Sequence, residues 1–143
     1  MTRQMLKRCV RQLAAVVLMA VWACAQAGSY EDFFIAVRND NASEVGDLLR
    51  RGFDPNARDA KGQPGLTVAM QEQSMKAAKV LLAQPALDVD GLNQAGESAL
   101  MMAALKGNVA GIDLLLARGA KVGQPGWSAI HYAATGPDRK SVV

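Results

Sequence analysis

A short helical motif recurs along this 143-residue chain at nearly regular intervals. Each copy begins with a glycine, passes through variable and turn-forming residues to Leu or Ile, and continues with small residues. The starting glycines, Gly62, Gly96 and Gly126, are 34 and 30 residues apart. One unit of this length cannot bury its own apolar face, so neighbouring units must stack. The repetition predicts an all-α solenoid of paired short helices.

The stretch from residue 96 to residue 120, "GESALMMAALKGNVAGIDLLLARGA", contains the local signals of one unit. Two adjacent alanines allow the first helix to approach its neighbours closely. Gly107-Asn108 favours a tight reversal because both residue types tolerate positive φ. Three leucines at 114–116 place apolar bulk on the second helix, and Gly119 ends it as a C′ residue. We expect the core to contain Leu66, Leu81, Leu100, Leu115 and Ile130.

These residues resemble the ankyrin-repeat family. Its motif T-P-L-H-x-A-A-x-x-G-H-x-x-x-x-x-L-L-x-x-G-A is matched most specifically by "SALMMAALKGNVAGIDLLLARGA", and "DFFIAVRNDNASEVGDLLRRGFDPN" fits a degenerate first repeat. The resemblance implies an ankyrin-repeat solenoid of paired short helices with finger-like turns, about three and a half repeats long, over residues 28–143. It also implies that this solenoid binds a protein through its concave face. The expected repeats are about 30–58, 59–92, 93–123 and an incomplete 124–143.

The N-terminal 27 residues have the layout of a secretory signal peptide. Four basic residues and no acid precede the uncharged run 13–25, and Ala25-Gln26-Ala27 provides an A-x-A cleavage signal ahead of Gly28. The 13-residue run is shorter than the roughly 20 residues that span a bilayer. We therefore expect cleavage, a periplasmic or secreted location, and an exported ankyrin-repeat protein of bacterial type. An uncleaved anchor and a lipid anchor at Cys24 are the open alternatives.

Removal of this leader changes the charge and the cysteine content. The formal net charge of the chain is +3, and loss of the four leader cations leaves −1. The mature chain thus lacks the basic footprint that nucleic-acid binding requires. Both cysteines, Cys9 and Cys24, lie in the leader, so we expect no disulfide. No nucleic-acid partner and no stable membrane insertion are expected after cleavage.

The residues offer no constellation for catalysis, a metal or a cofactor. His131 is the only histidine, and zinc requires three or four protein ligands. Ser128 precedes it by three residues, but the orienting group and oxyanion site of a serine hydrolase are not identifiable. The resemblance implies a local hydrogen-bonding role for His131 at the end of the tetrapeptide "SAIH". We therefore expect a protein that is not an enzyme and has no cofactor.

The resemblance also implies which residues face a protein partner, because the family uses finger residues and the accessible side of the first helices. Trp127, the only tryptophan of the mature chain, either anchors a partner or packs over a shortened finger. Leu105 is apolar where polar residues are common, and contact with a neighbouring repeat is the alternative role for it. The predicted protein-binding residues are Lys61, Gln63, Gln94, Glu97, Leu105, Lys106 and Trp127.

Three functions stay open at this stage. The first is an extracytoplasmic module that binds an unidentified protein. The second is an accessory or targeting domain of a longer enzyme, since "TGPDRKSVV" begins the second helix of the fourth repeat and the chain stops there. We expect on this ground that the chain is a fragment. The third is a secreted effector or neutralising protein that uses the same surface.

Overall fold

The computed structural model describes Gln4, Lys7, residues 10–12, residues 28–123, Gly126 and residues 128–135. The chain divides into two compact units, Met1–Asp32 and Phe33–Val143. In the first unit every described residue is helical. Among the residues described in both units, no helix is long and apolar enough to cross a bilayer.

The second unit consists of short helices that follow one another in pairs. Residues 28–38 are helical, and the part within the second unit, 33–38, is α1. The helices that follow are α2 (Ala42–Arg50), α3 (Gly65–Gln71), α4 (Met75–Leu82), α5 (Ala99–Leu105), α6 (Val109–Ala117) and α7 (Ala129–Thr135). Within the described residues, extended pairing is limited to one isolated bridge between Arg58 and Pro64. The all-helical repeat solenoid predicted from the sequence is confirmed.

Equivalent positions of successive repeats form the core. Each of the first helices α3 and α5 packs on the second helix of its own repeat and on the first helix of the next repeat, as α3 does with α4 and α5. Leu66, Leu81, Leu100 and Leu115 are all buried, as predicted. In the first repeat Phe33 occupies the position of Leu66, and its ring stacks on Phe53 with the ring centroids 4.4 Å apart. The larger ring fills this end of the core.

The prediction that Ile130 is buried is wrong, because 71% of its surface is exposed. Ile130 occupies in α7 the position that Leu66 and Leu100 occupy in α3 and α5, and these leucines are 2% and 3% exposed. The difference follows from the partners of each helix. α3 and α5 each pack on the second helix of their own repeat, and within the described residues no second helix follows α7.

The reversal between the two helices has the same backbone conformation in each of the first three repeats. Asp40, Gln73 and Gly107 occupy the same position, and their φ angles are +54°, +58° and +64°. Gly107 thus adopts the positive φ that its residue type tolerates, whereas Asn108 has a φ of −82°. Asn108 is instead the N-cap of α6, and its side chain accepts a hydrogen bond from the backbone N–H of Gly111.

The second repeat obtains its helix cap from its neighbour. Ser74 is the N-cap residue of α4, but its side chain makes no capping bond. Asp40, from the first repeat, accepts hydrogen bonds through Oδ1 from the backbone N–H groups of Lys76 at 2.8 Å and Ala77 at 2.9 Å. The carboxylate therefore satisfies two of the unpaired donors at the start of α4 and ties the two repeats together.

The second helices end in two ways. Gly52 and Gly119 follow α2 and α6 with φ of +94° and +89°, as expected for C′ glycines. α4 has no such glycine and ends at Leu82, three residues before Pro85, which could not continue the helix because it lacks a backbone N–H. Arg118 of the next repeat binds this end of the chain segment, donating to the oxygen of Leu82, the last residue of α4, at 2.8 Å and to that of Gln84, two residues further on, at 2.9 Å.

Candidate protein-interaction surface

A single carboxylate organises the finger between α2 and α3. Asp59 Oδ1 accepts hydrogen bonds from the backbone N–H groups of Lys61 at 2.9 Å and Gln63 at 3.0 Å. The backbone closes the same turn, because the N–H of Asp59 donates to the oxygen of Gln63 at 2.9 Å. Side chains of Asp and Asn commonly bind the backbone two residues ahead and so stabilise turns. This finger therefore has a defined shape and presents the Lys61 side chain to solvent.

The next finger is built in the same way around Asn93. Its Oδ1 atom accepts from the backbone N–H groups of Ala95 and Glu97, both at 2.9 Å, and its Nδ2 atom donates to Glu97 Oε2 at 2.7 Å. The neighbouring fingers are in contact. A Cβ atom added to Gly62 would lie only 2.7 Å from the Cγ atom of Gln94, so the Gln94 side chain packs against the backbone of the first finger at this glycine. The two fingers thus form one continuous ridge.

An ion pair connects the first finger to α1. Arg38 Nη2 lies 3.1 Å from Asp59 Oδ2. The two partners differ in accessibility, since 44% of the Arg38 side chain but only 5% of the Asp59 side chain is exposed. Arg38 therefore covers and neutralises the buried Asp59 carboxylate, and solvent meets mainly the cationic member of the pair.

Polar side chains also join the fingers to the first helices. Gln63 Nε2 donates to Gln71 Oε1 at 3.2 Å, along α3. Tyr132 of α7 donates its hydroxyl to Glu97 Oε1 at 2.9 Å. Burial raises the pKa of Tyr132, and the hydrogen bond to Glu97 and the negative charge of that carboxylate raise it further. The tyrosine hydroxyl is therefore held protonated as a donor to the finger.

The last turns of the first helices complete this surface. Lys106 is the C-cap residue of α5, and Glu72 is the C-cap residue of α3; both are exposed. Leu105, the last residue of α5, is half-buried. Charged, polar and apolar groups therefore lie next to one another along the ends of successive helices.

Six of the seven predicted protein-binding residues lie on these fingers and helix ends. The exposed members are Lys61, Gln94 and Lys106, and the half-buried members are Gln63, Glu97 and Leu105. Trp127 lies outside the described residues. Whether this set binds a partner stays a prediction.

Sequence reasoning did not single out Arg38 or Asp59. Arg38 belongs to the degenerate first repeat, and Asp59 lies just before the glycine that starts the next motif, Gly62. A signal for Asp59 was present, because Asn93 follows it by one repeat of 34 residues and both types form the same side-chain turn. Aligning the repeats position by position identifies such a residue.

The single histidine makes a local contact. Ser128 Oγ lies 2.8 Å from His131 Nδ1, and the backbone N–H of Ser128 donates to the same nitrogen at 3.3 Å. Because Nδ1 accepts this backbone hydrogen bond, the geometry agrees with the local role that the resemblance implied. Within the described part of the chain, no group of three or more His, Cys, Asp or Glu residues could hold a metal ion.

The paired helices, the repeated reversals and the fingers define a helical-repeat protein with an accessible surface along its first helices. Comparison with known families specifies the class further. A family model for ankyrin repeats, in three copies, matches residues 33–125, and the chain belongs to the ankyrin-repeat family. Ankyrin-repeat domains generally mediate protein–protein interaction and are typically not catalytic.

Two curated relatives are similar over much of this chain. Transient receptor potential cation channel subfamily A member 1 of Homo sapiens is 32% identical over 102 residues, which cover 69% of this chain. Intracellular phospholipase A2 of Caenorhabditis elegans is 31% identical over 94 residues, 64% of this chain. The matched segment spans only 9% of each relative. Both relatives come from animals, so they give no support to the expectation of a bacterial-type exported protein.

Proposed function

We propose that this ankyrin-repeat array binds a protein partner through its fingers and the ends of its first helices. One observation carries the proposal: equivalent buried positions contain similar residues, whereas equivalent accessible positions differ. Leu66 and Leu100 are the same residue and are buried. Glu72 and Lys106 are equivalent but opposite in charge, and both are exposed. The buried residues therefore keep the repeats alike, while the surface residues differ from one repeat to the next, as recognition of one particular partner requires.

Photo-crosslinking from single positions tests this function. We would introduce a benzophenone amino acid at Lys106 of the full chain, and at Asp113 as the matched control. Asp113 is also exposed but lies on α6, a second helix. The proposal expects a discrete crosslinked protein from Lys106 and none from Asp113. Equal crosslinking from both positions would contradict it.

We further propose that the array acts outside the cytoplasmic membrane. The support is the sequence of residues 1–27, with its cationic start, uncharged run and A-x-A signal. Expression in the native source, followed by N-terminal sequencing and fractionation, tests this proposal. A mature chain that begins at Gly28 in the extracytoplasmic fraction supports it, and recovery of Met1 or Thr2 would contradict it.

A second candidate function is that of an interaction segment in a longer protein. The lengths of the relatives favour it, because the matched segment is 9% of a channel and 9% of a phospholipase. An accessory role beside an enzyme and a secreted effector role would both use the same surface. Immunoblotting of the native product distinguishes the accessory role from the effector role, since a product much larger than 15.2 kDa would show additional domains.

A further inference from the structure

Six residues at the ends of the first helices form a regular two-by-three array, which we call the helix-end row. The row consists of Arg38, Asn39, Gln71, Glu72, Leu105 and Lys106. In each repeat the two residues directly precede the positive-φ position of the reversal, at Asp40, Gln73 and Gly107. The row therefore presents one pair of side chains per repeat from equivalent positions.

The charges of the helix-end row alternate. Arg38 supplies a cation whose partner Asp59 is buried beneath it. Glu72 supplies an exposed anion, and Lys106 supplies an exposed cation. Within the described residues, the ion pairs join Arg38 to Asp59 and Arg50 to Asp47, so neither Glu72 nor Lys106 is neutralised there. The order along the row is positive, negative, positive, with Arg38 at the first position of its pair and Glu72 and Lys106 at the second.

The spacing of the row fits an extended polypeptide. Helices that pack side by side have axes about 8–10 Å apart. An extended chain advances about 3.3–3.4 Å per residue, so every third residue meets the next repeat. A complementary segment therefore carries an acid, a base three residues later and an acid three residues after that. This order of charges reads the same in both chain directions.

The neighbouring amides favour an extended partner over a helical one. Gln63 Nε2 donates to Gln71 Oε1, and this bond leaves Gln63 Oε1 as an acceptor and Gln71 Nε2 as a donor toward an incoming chain. An extended segment has backbone N–H and C=O groups available for such a donor and acceptor, whereas an α-helix satisfies its own. Leu105 adds an apolar contact beside Lys106.

We propose that the helix-end row binds an extended polypeptide segment with the pattern acidic-x-x-basic-x-x-acidic. The inference rests on the proposed protein-binding function and names the chemistry of the partner. Screening a phage-displayed library of random 12-residue peptides against the immobilised full chain tests it. Enriched sequences are expected to carry the three charges at three-residue steps.

A charge reversal in the centre of the row provides the decisive comparison. Glu72→Lys is expected to select peptides with an acid at the central position. The substitution places a cation at a helix C-terminus, which is favourable for the helix. Asp113→Lys is the matched control, because it changes the net charge equally from an exposed position on α6. This control is expected to select the same pattern as the unaltered chain.

Fluorescence anisotropy with one selected peptide measures how much each substitution changes Kd. Loss of an exposed ion pair together with a new like-charge contact should raise Kd about fivefold to tenfold for Glu72→Lys. Asp113→Lys should change Kd by less than about twofold. Circular dichroism and thermal melting confirm that each variant is folded.

Selected peptides without this charge order, or with charges at seven-residue helical steps, would overturn the inference. So would selection of the same peptides by the Glu72→Lys chain, or a complete absence of enrichment. The crosslinking experiment at Lys106 and Asp113 decides the proposed function separately. A partner captured there without the charge pattern would leave the protein-binding function standing and remove only this inference.

Discussion

The bond between Asp40 and the start of α4 allows a stability test with three substitutions at one position. Asp40 has two opposing roles. Its carboxylate accepts hydrogen bonds from Lys76 and Ala77, while its backbone adopts a φ of +54° that most residues avoid. Three substitutions separate the two effects. Asn retains an acceptor and tolerates positive φ, Gly loses the acceptor but tolerates positive φ, and Ala loses the acceptor and resists positive φ.

The expected losses in the free energy of unfolding follow from these roles. Loss of a helix cap costs about 0.5–2 kcal/mol, typically about 1. A left-handed conformation costs a residue with a Cβ roughly 1–2 kcal/mol, and Gly avoids this cost. Asp40→Ala should therefore lose about 2–3 kcal/mol, whereas Asp40→Gly should lose about 1 kcal/mol or less. Asp40→Asn keeps an acceptor and tolerates positive φ, so its loss should be within about 0.5 kcal/mol.

Urea denaturation followed by circular dichroism measures these differences through the transition midpoint. The order of stability should be wild type, Asn, Gly and then Ala. Glu72→Ala, at an exposed C-cap position, serves as a control and should change the midpoint little. Equal stability of the Ala variant and wild type, or a Gly variant as unstable as the Ala variant, would refute the reasoning.

Three further substitutions test the core and the predicted surface. Leu115→Ala should cost about 2–5 kcal/mol because Leu115 is fully buried, and an unchanged urea midpoint would contradict its placement. Thr67→Val should stabilise the protein by about 1 kcal/mol, because the buried Thr67 hydroxyl has no hydrogen-bond partner among the described residues; a lower melting temperature would contradict this account. Trp127→Ala should weaken partner binding by about 2 kcal/mol without lowering the melting temperature, and a strongly blue-shifted emission maximum of the free protein would place Trp127 in the core.

The repeat architecture could be predicted from the sequence because each unit contains the same order of glycine, Leu or Ile, and small residues. Leu66 and Leu100 occupy the same position of adjacent units, and stacking buries both. The same pattern failed at Ile130, because burial of that position depends on a second helix that is absent from the described residues. Local sequence identifies a candidate core residue, whereas its burial requires the neighbouring element.

The candidate surface could be predicted only in part. Lys61 and Lys106 were found from their positions in the repeat, and both are exposed. The bond from Asp40 to α4 and the ion pair of Arg38 with Asp59 were missed, because each joins residues from different structural elements. A repeat motif describes the residues of one unit, so it does not predict hydrogen bonds or ion pairs between different units.

The contact of Arg118 with the end of α4 has a consequence for local opening of the array. When the third repeat opens, the carbonyls of Leu82 and Gln84 lose their guanidinium donor. Opening of α6 therefore also loosens the last turn of α4, although that turn belongs to the preceding repeat. In native-state hydrogen exchange, the amides of the last turn of α4 should become exchangeable together with those of α6, while the first turn of α4, held by Asp40, stays protected longer.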